Sequence, residues 1–133
     1  MARSYNRVIL IGNIGRDPEL RYTPNGQAVA NFTLATNEVW IDKNNERQQR
    51  TEWHRIVAWS KLAEIASEYM SKGKQVFVEG RLRTRTWQDR NGNSRTTTEI
   101  WANTLIILGR KGEEVPAEEQ PPAEEITDDD IPF

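Results

Sequence analysis

The chain has no cysteine and a single histidine in 133 residues. The first absence excludes disulfide frameworks and thiolate metal sites and is compatible with a reducing compartment. The second, His54 alone, argues against zinc. Long apolar runs are missing too: "RVILIGNIG" is broken by Gly12, Asn13 and Gly15, and neither a membrane span nor a signal-peptide pattern appears. These features read as a cytosolic chain with no membrane partner. No Ser-His-Asp set can be specified beyond coincidence, and no glycine-rich phosphate loop of the P-loop kind is present. The run Asp128 to Asp130 could suggest magnesium, but on a flexible end it lacks the fixed geometry that metal catalysis needs. The expectation is binding rather than catalysis, with no metal and no cofactor.

Positive charge is absent from one end. All 18 Lys and Arg lie before Gly112, against 11 Asp and Glu, while the last 21 residues carry nine acidic groups and no basic one. The formal net charge of -2 therefore conceals a body of about +7 joined to a tail of about -9. Such segregation points to a polyanion partner for the body and to a tail that binds the body or another protein.

Val, Ile, Thr and Trp dominate residues 6–108 in runs separated by turn signals, which predicts an all-β domain. "NRVILIGNIG" reads as a strand and "ELRYT" as a short one, followed by the turn "PNG". In "QAVANFTLATNEVW", Ala28, Ala30, Phe32 and Leu34 fall on one face, with Asn31 and Thr33 on the other. Residues 42–50 read as a polar loop and "TEWHRIVAW" as the next strand. One helix is expected in "KLAEIASEYMSK", with Leu62, Ile65, Ala66, Tyr69 and Met70 inward, Ser60 as its cap and Gly73 as its stop. "KQVFVEGRLRTRTW" and "SRTTTEIWANTLIIL" then form a hairpin through Asn91-Gly92. A helix between the third and fourth main strands suits a five-stranded OB-fold barrel better than the alternative, a β-sandwich. No internal repeat is present. The domain spans residues 1–112, residues 113–127 are a Glu/Pro-rich linker expected to be disordered, and 128–133 are an acidic tip, "DDDIPF".

Alternation exposes two functional rows. Arg81, Arg83, Arg85 and Trp87 share one side of their strand over roughly 20 Å. Trp53, Arg55, Val57 and Trp59 share a side of another, with His54, Ile56 and Ala58 opposite, and Trp40 ends its segment beside Lys43. Cations neutralise phosphates and flat rings stack unpaired bases, so the pattern fits single-stranded nucleic acid. Against that stands the ordinary role of Trp in a β-domain, which is core packing. Trp101, with fewer cations nearby, is read as structural, and His54 as a packing or interface residue.

"VILIGNIGRDPELRYTPNGQAVANFTLAT", "TEWHRIVAWSKLAE", "LRTRTWQD" and the tip "DDDIPF" together closely resemble the bacterial single-stranded DNA-binding protein family, over residues 4–110 and the last six. The resemblance implies an OB-fold homotetramer in the bacterial cytoplasm, associated with the nucleoid. It would coat single-stranded DNA in replication, recombination and repair and recruit the proteins of those processes through its tip. By position it implies base stacking on Trp40, Trp53, Trp59 and Trp87, and a subunit-interface role for His54. It also implies phosphate contacts from Arg3, Arg21, Lys43, Arg55, Lys61, Lys72, Arg83 and Arg85; the row itself adds Arg81. In the tip, Phe133 and its carboxylate would enter an apolar, basic-rimmed pocket, Ile131 and Pro132 would add contact, and Asp128, Asp129 and Asp130 would steer. The linker is short for the family and spans roughly 20 Å. An RNA-binding relative, a protein-interaction hub and, last, a nuclease are the alternatives.

Overall fold

The computed structural model describes residues 3–111. The expected linker at 113–127, the expected tip at 128–133 and the domain's closing Gly112 lie outside the described residues. Among the described residues the strands are β1 (Val8–Ile14), β2 (Glu19–Tyr22), β3 (Ala28–Ile41), β4 (Arg47–Trp59), β5 (Lys74–Gln88) and β6 (Ser94–Lys111), with one helix, α1 (Lys61–Tyr69), between β4 and β5.

Five strands close on themselves. β1 pairs antiparallel with β5 along Val8 to Asn13 and crosses to β3 at Asn13 and Ile14. β3 pairs with β4 and β5 with β6, and a short parallel contact of Ile56 and Val57 with Ile100 and Trp101 joins β4 to β6. The small β2 lies along β3. This is the OB-type barrel expected from the element order, with its helix between the third and fourth long strands.

Closure requires backbones to approach where a side chain would block them. A Cβ on Gly12 would strike the Ala35 carbonyl, and one on Gly80 the Trp101 carbonyl. Gly80 also marks a register shift in the β5–β6 ladder: Glu79 faces Thr104 but Gly80 faces Ala102, so Asn103 has no partner. That extra residue reverses the alternation of β6. Leu105 lies opposite the inward Val78 on one side of the bulge, and Ile100 opposite Leu82 on the other. Trp101 is thereby turned outward.

Inside, alternate residues of the strands meet as expected: Ala28, Ala30, Phe32 and Leu34 of β3 are buried with Ile14, Ile56, Ala58, Val76, Val78 and Ile100. Full burial of a side chain such as Leu34 or Ile56 stabilises by about 1.5–3 kcal/mol. The helix adds Ala63 and Ala66, with Leu62 packed against the core, and Met70 joins them from just beyond the helix end. Its buried face is thus rotated from the expected one. Tyr69 is exposed and Ala63 takes an inward place, because small residues let the helix approach the barrel closely.

Both helix ends differ from the sequence reading. Ser60 stands at the N-cap position with φ 55°, but its hydroxyl makes no capping bond; it accepts from Gln27 Nε2 at 3.0 Å. Its backbone N–H is spent on Ala28 O at 2.8 Å, tying the turn to β3. The helix ends at Tyr69, with Met70 already extended, so Gly73 does not terminate it. Gly73 instead donates its N–H to Ile14 O at 2.7 Å and binds the returning chain to β1.

The expected loop at 42–50 is shorter than foreseen. β3 and β4 stay paired out to Ile41 and Arg47, making a long hairpin arm. Its turn, residues 42–46, shares one design with the turn at 89–93. In each, the first Asp accepts two backbone N–H bonds with Oδ1, Asp42 from Asn44 and Glu46, Asp89 from Asn91 and Asn93. In each, Oδ2 takes a side chain across the hairpin, Gln48 Nε2 at 2.9 Å or Arg95 Nε at 3.0 Å. A left-handed residue, Asn45 or Gly92, completes the reversal. At Asp42 the backbone N–H of Glu46 is the main cause holding the carboxyl below its usual range; at Asp89 it is Arg95.

Gly80→Ala is expected to destabilise the barrel by roughly 2–4 kcal/mol, since the new methyl meets backbone rather than a yielding side chain. Urea denaturation checks this; an unchanged midpoint would show that the closure tolerates a Cβ.

Candidate nucleic-acid interface

Strand register assembles the two sequence rows into one outer face. Opposite Arg81, Arg83, Arg85 and Trp87 of β5 stand Trp101, Glu99, Thr97 and Arg95 of β6. Trp101 in turn faces Val57 of β4, whose row holds Trp53, Arg55 and Trp59. Opposite that row on β3 are Ala35, Thr33, Asn31 and Val29, and Arg21 of β2 faces Val29. Small or short residues therefore lie across from the large rings. Ala35 and Val29 are buried there, so the indoles of β4 rise from a closed floor.

The three arginines of the row, alike in the sequence, have different surroundings. Arg81 is exposed. Arg83 places its guanidinium carbon 4.5 Å from the centroid of the Trp101 ring. Arg85 is sunk, its side chain 11% exposed, with Nε donating to Glu99 Oε1 at 3.2 Å and Cζ 5.8 Å from the Trp87 ring. Glu99, 4% exposed, also accepts the Trp101 indole N–H at 3.2 Å. Trp87 is fixed separately through Nε1 donating to Thr97 Oγ1 at 2.8 Å. A buried carboxylate thus anchors one cation and one ring in the middle of a basic, aromatic face. Sequence reading missed this role of Glu99 and the outward placement of Trp101; only the bulge at Asn103 reveals them.

The other expected site residues are distributed around this face. Trp40 stands on the β3–β4 arm, 45% exposed. It pairs with Gln48, on the alternation opposite to Ala35 and Trp53, so the register does not add it to the row of Trp53 and Trp59. Lys43 is in the turn at the arm's tip. Lys61 begins α1, while Lys72 lies beyond its end, with its backbone N–H on Asp17 Oδ1 at 2.8 Å. Arg3 is exposed ahead of β1. Arg21 is bound through Nε and Nη2 to Glu19 Oε1 at 2.8 and 2.6 Å, an exposed pair of small energetic weight. His54 projects away from Trp53; its Nε2 is 2.9 Å from Thr36 Oγ1. Burial lowers its pKa against the opposing influence of Glu52, favouring the neutral imidazole at pH 7.

What such a face can do follows from its chemistry. Flat rings offer stacking at about 1–3 kcal/mol per base, and the exposed guanidinium groups offer charge to phosphates. The chemistry suits an extended single strand better than a duplex, because only unpaired bases are free to stack on rings that project from a sheet.

The comparisons with known proteins agree in kind. Residues 5–108 match the model of the single-strand binding protein family. Among solved structures, a Plasmodium falciparum SSB in complex with ssDNA superposes with a TM-score of 0.76 at 38% sequence identity, over 82% of this chain and 99% of that one.

Removing Glu99 tests its anchoring role. Glu99→Ala leaves a nearly buried Arg85 and an indole N–H without their shared acceptor, and should cost roughly 3–5 kcal/mol in urea denaturation. Glu99→Leu combined with Arg85→Met should recover much of that loss. A loss from Glu99→Ala within experimental error would refute the anchor.

Proposed function

Because the chain belongs to the single-strand binding protein family, we propose that it coats single-stranded DNA without regard to sequence, by stacking and charge neutralisation and without catalysis. The observation that carries this reading is the sheet face on which Trp53, Trp59 and Trp87 stand with Arg55, Arg81 and Arg83. Bases stack on the rings while the cations take the sugar-phosphate backbone. Arg85 contributes mainly by its packing on Trp87, since Glu99 holds its Nε. Arg3, Arg21, Lys43, Lys61 and Lys72 supply the outlying charge along the strand's path, and Trp40 a stacking surface on the arm. The likeness to an SSB described in complex with ssDNA supports the same reading.

Self-association belongs to the proposal. Ile9 and Ile11 point outward from β1 and are 55% and 53% exposed. Ile11 pairs with Phe77, which pairs with Ile106, giving an apolar strip on the outside of the barrel. Strips of this kind are covered in assemblies, and a homotetramer would cover it. His54 serves a subunit contact in this reading. The tip, Asp128 to Phe133, is the address by which proteins of replication, recombination and repair are recruited; the acidic tail, in the absence of DNA, competes for the basic body. The setting is the bacterial cytoplasm, at the nucleoid.

Titration of the full chain with oligo-dT is expected to quench tryptophan fluorescence, with an affinity that falls steeply as salt rises. Trp53→Ala and Trp87→Ala should each weaken binding by about 1–3 kcal/mol. Equal affinity for duplex DNA, or unchanged affinity in both variants, would sink the proposal, and preference for RNA in competition would redirect it.

Sedimentation addresses the assembly and the tip together. The full chain should sediment as a tetramer. A variant lacking residues 128–133 should remain tetrameric and bind oligo-dT as well or better at low salt, yet no longer co-sediment with a replication or repair partner. A monomeric full chain would overturn the first part, and a retained partner the second.

A further inference from the structure

We propose that Trp101 is a base-stacking residue, that it forms a two-ring step with Trp59 at the centre of the interface, and that Arg83 covers the Trp101 ring until a base displaces it. The inference rests on the reading of the face as a single-stranded DNA site.

The position of Trp101 carries the first part. A tryptophan serving the barrel core would lie on the side of Ile56 and Ile100, but Trp101 is on the other. There it joins a second, separate apolar cluster with Trp59, built on the buried Val29 and Val57. The two ring centroids are 5.2 Å apart with planes tilted by 52°, so they present a bent step rather than one flat surface. Glu99 fixes the Trp101 ring by its N–H edge, which leaves a face available to a planar group. Trp59 Nε1, by contrast, is buried and has no acceptor among the described residues. A cluster shaped for folding alone would satisfy that donor.

A planar group already occupies the site in the free protein. The Arg83 guanidinium lies 4.5 Å from the Trp101 ring centroid, on an exposed stretch of β5 between Arg81 and Arg85. An exposed guanidinium stack is weaker than a base–indole stack, so exchange of one for the other is favourable. The displaced cation remains tethered beside the nucleotide that replaced it and meets the adjoining phosphate. Arg83 therefore has opposing effects: it competes for the ring and it attracts the backbone. Salt separates them, because screening weakens the phosphate contact while the competition by stacking persists.

Trp101→Leu in the full chain should weaken oligo-dT binding by about 5- to 100-fold, and Trp101→Phe by much less. Arg83→Met should bind more weakly than the parent at low salt but more tightly at high salt, so that the two salt plots cross. Independently of any effect of Trp101→Leu on folding, the chain labelled with 5-fluorotryptophan should show the 19F resonance missing from Trp101→Phe shifting when oligo-dT is added. An unmoved resonance, or wild-type affinity in Trp101→Leu, would overturn the stacking role. Salt plots for Arg83→Met and the parent that run parallel, or that merge without crossing, would overturn the cover. If the parent itself failed to bind oligo-dT, the functional reading would fail instead, a result distinct from all of these.

Discussion

The rest of the structure depends on a closure that admits no side chain at two points. β1 must serve two strands, β5 for most of its length and β3 at its end, and Gly12 lies where it changes partners against the Ala35 carbonyl. Gly80 has the same relation to Trp101. Because the sheet closes there, its residues are divided into an inside, filled by apolar groups and capped by α1, and an outside that is free to carry function. Without closure the rows of Arg and Trp would have no common floor.

The outer face uses that floor unevenly. Near β1 it carries the apolar Ile9, Ile11, Phe77 and Ile106; near β4 and the distal half of β5 it is aromatic and basic. The bulge at Asn103 separates the two regimes on β6, because one unpaired residue exchanges which side chains point out. It also brings Glu99 outward, and this buried acid orders what would otherwise be a field of mobile cations. A guanidinium fixed by a carboxylate and a ring fixed by its N–H lose little freedom when a ligand arrives, which is the advantage of a preorganised site.

Two hairpins extend the face beyond the barrel, and both reverse with the same device, an Asp that gathers two backbone N–H groups and one side chain. The device lets strands remain paired to their tips. It also explains why residues 42–50 look like a loop in sequence: their polarity reflects an arm with both faces in water, and periodicity carries no signal where neither face is buried.

Much was legible from the chain alone. The alternation of Ala28 to Leu34, the Asn91-Gly92 reversal, the helix after Trp59 and the row Arg81 to Trp87 all depend on local periodicity or turn chemistry, and all are found in place. The motifs within the domain that resemble the family agree with the match over residues 5–108, which does not reach the tip. What the sequence by itself determined is thus the set of elements and which side chains of a strand share a side. What only the tertiary structure decided is who stands beside whom. The distinct environments of Arg81, Arg83 and Arg85, the outward turn of Trp101, the diversion of Ser60 to Gln27 and the separation of Trp40 from Trp53 follow from register, a bulge and closure. The physical reason is that alternation is a property of one strand, whereas pairing is fixed by the whole sheet's need to bury its interior at once.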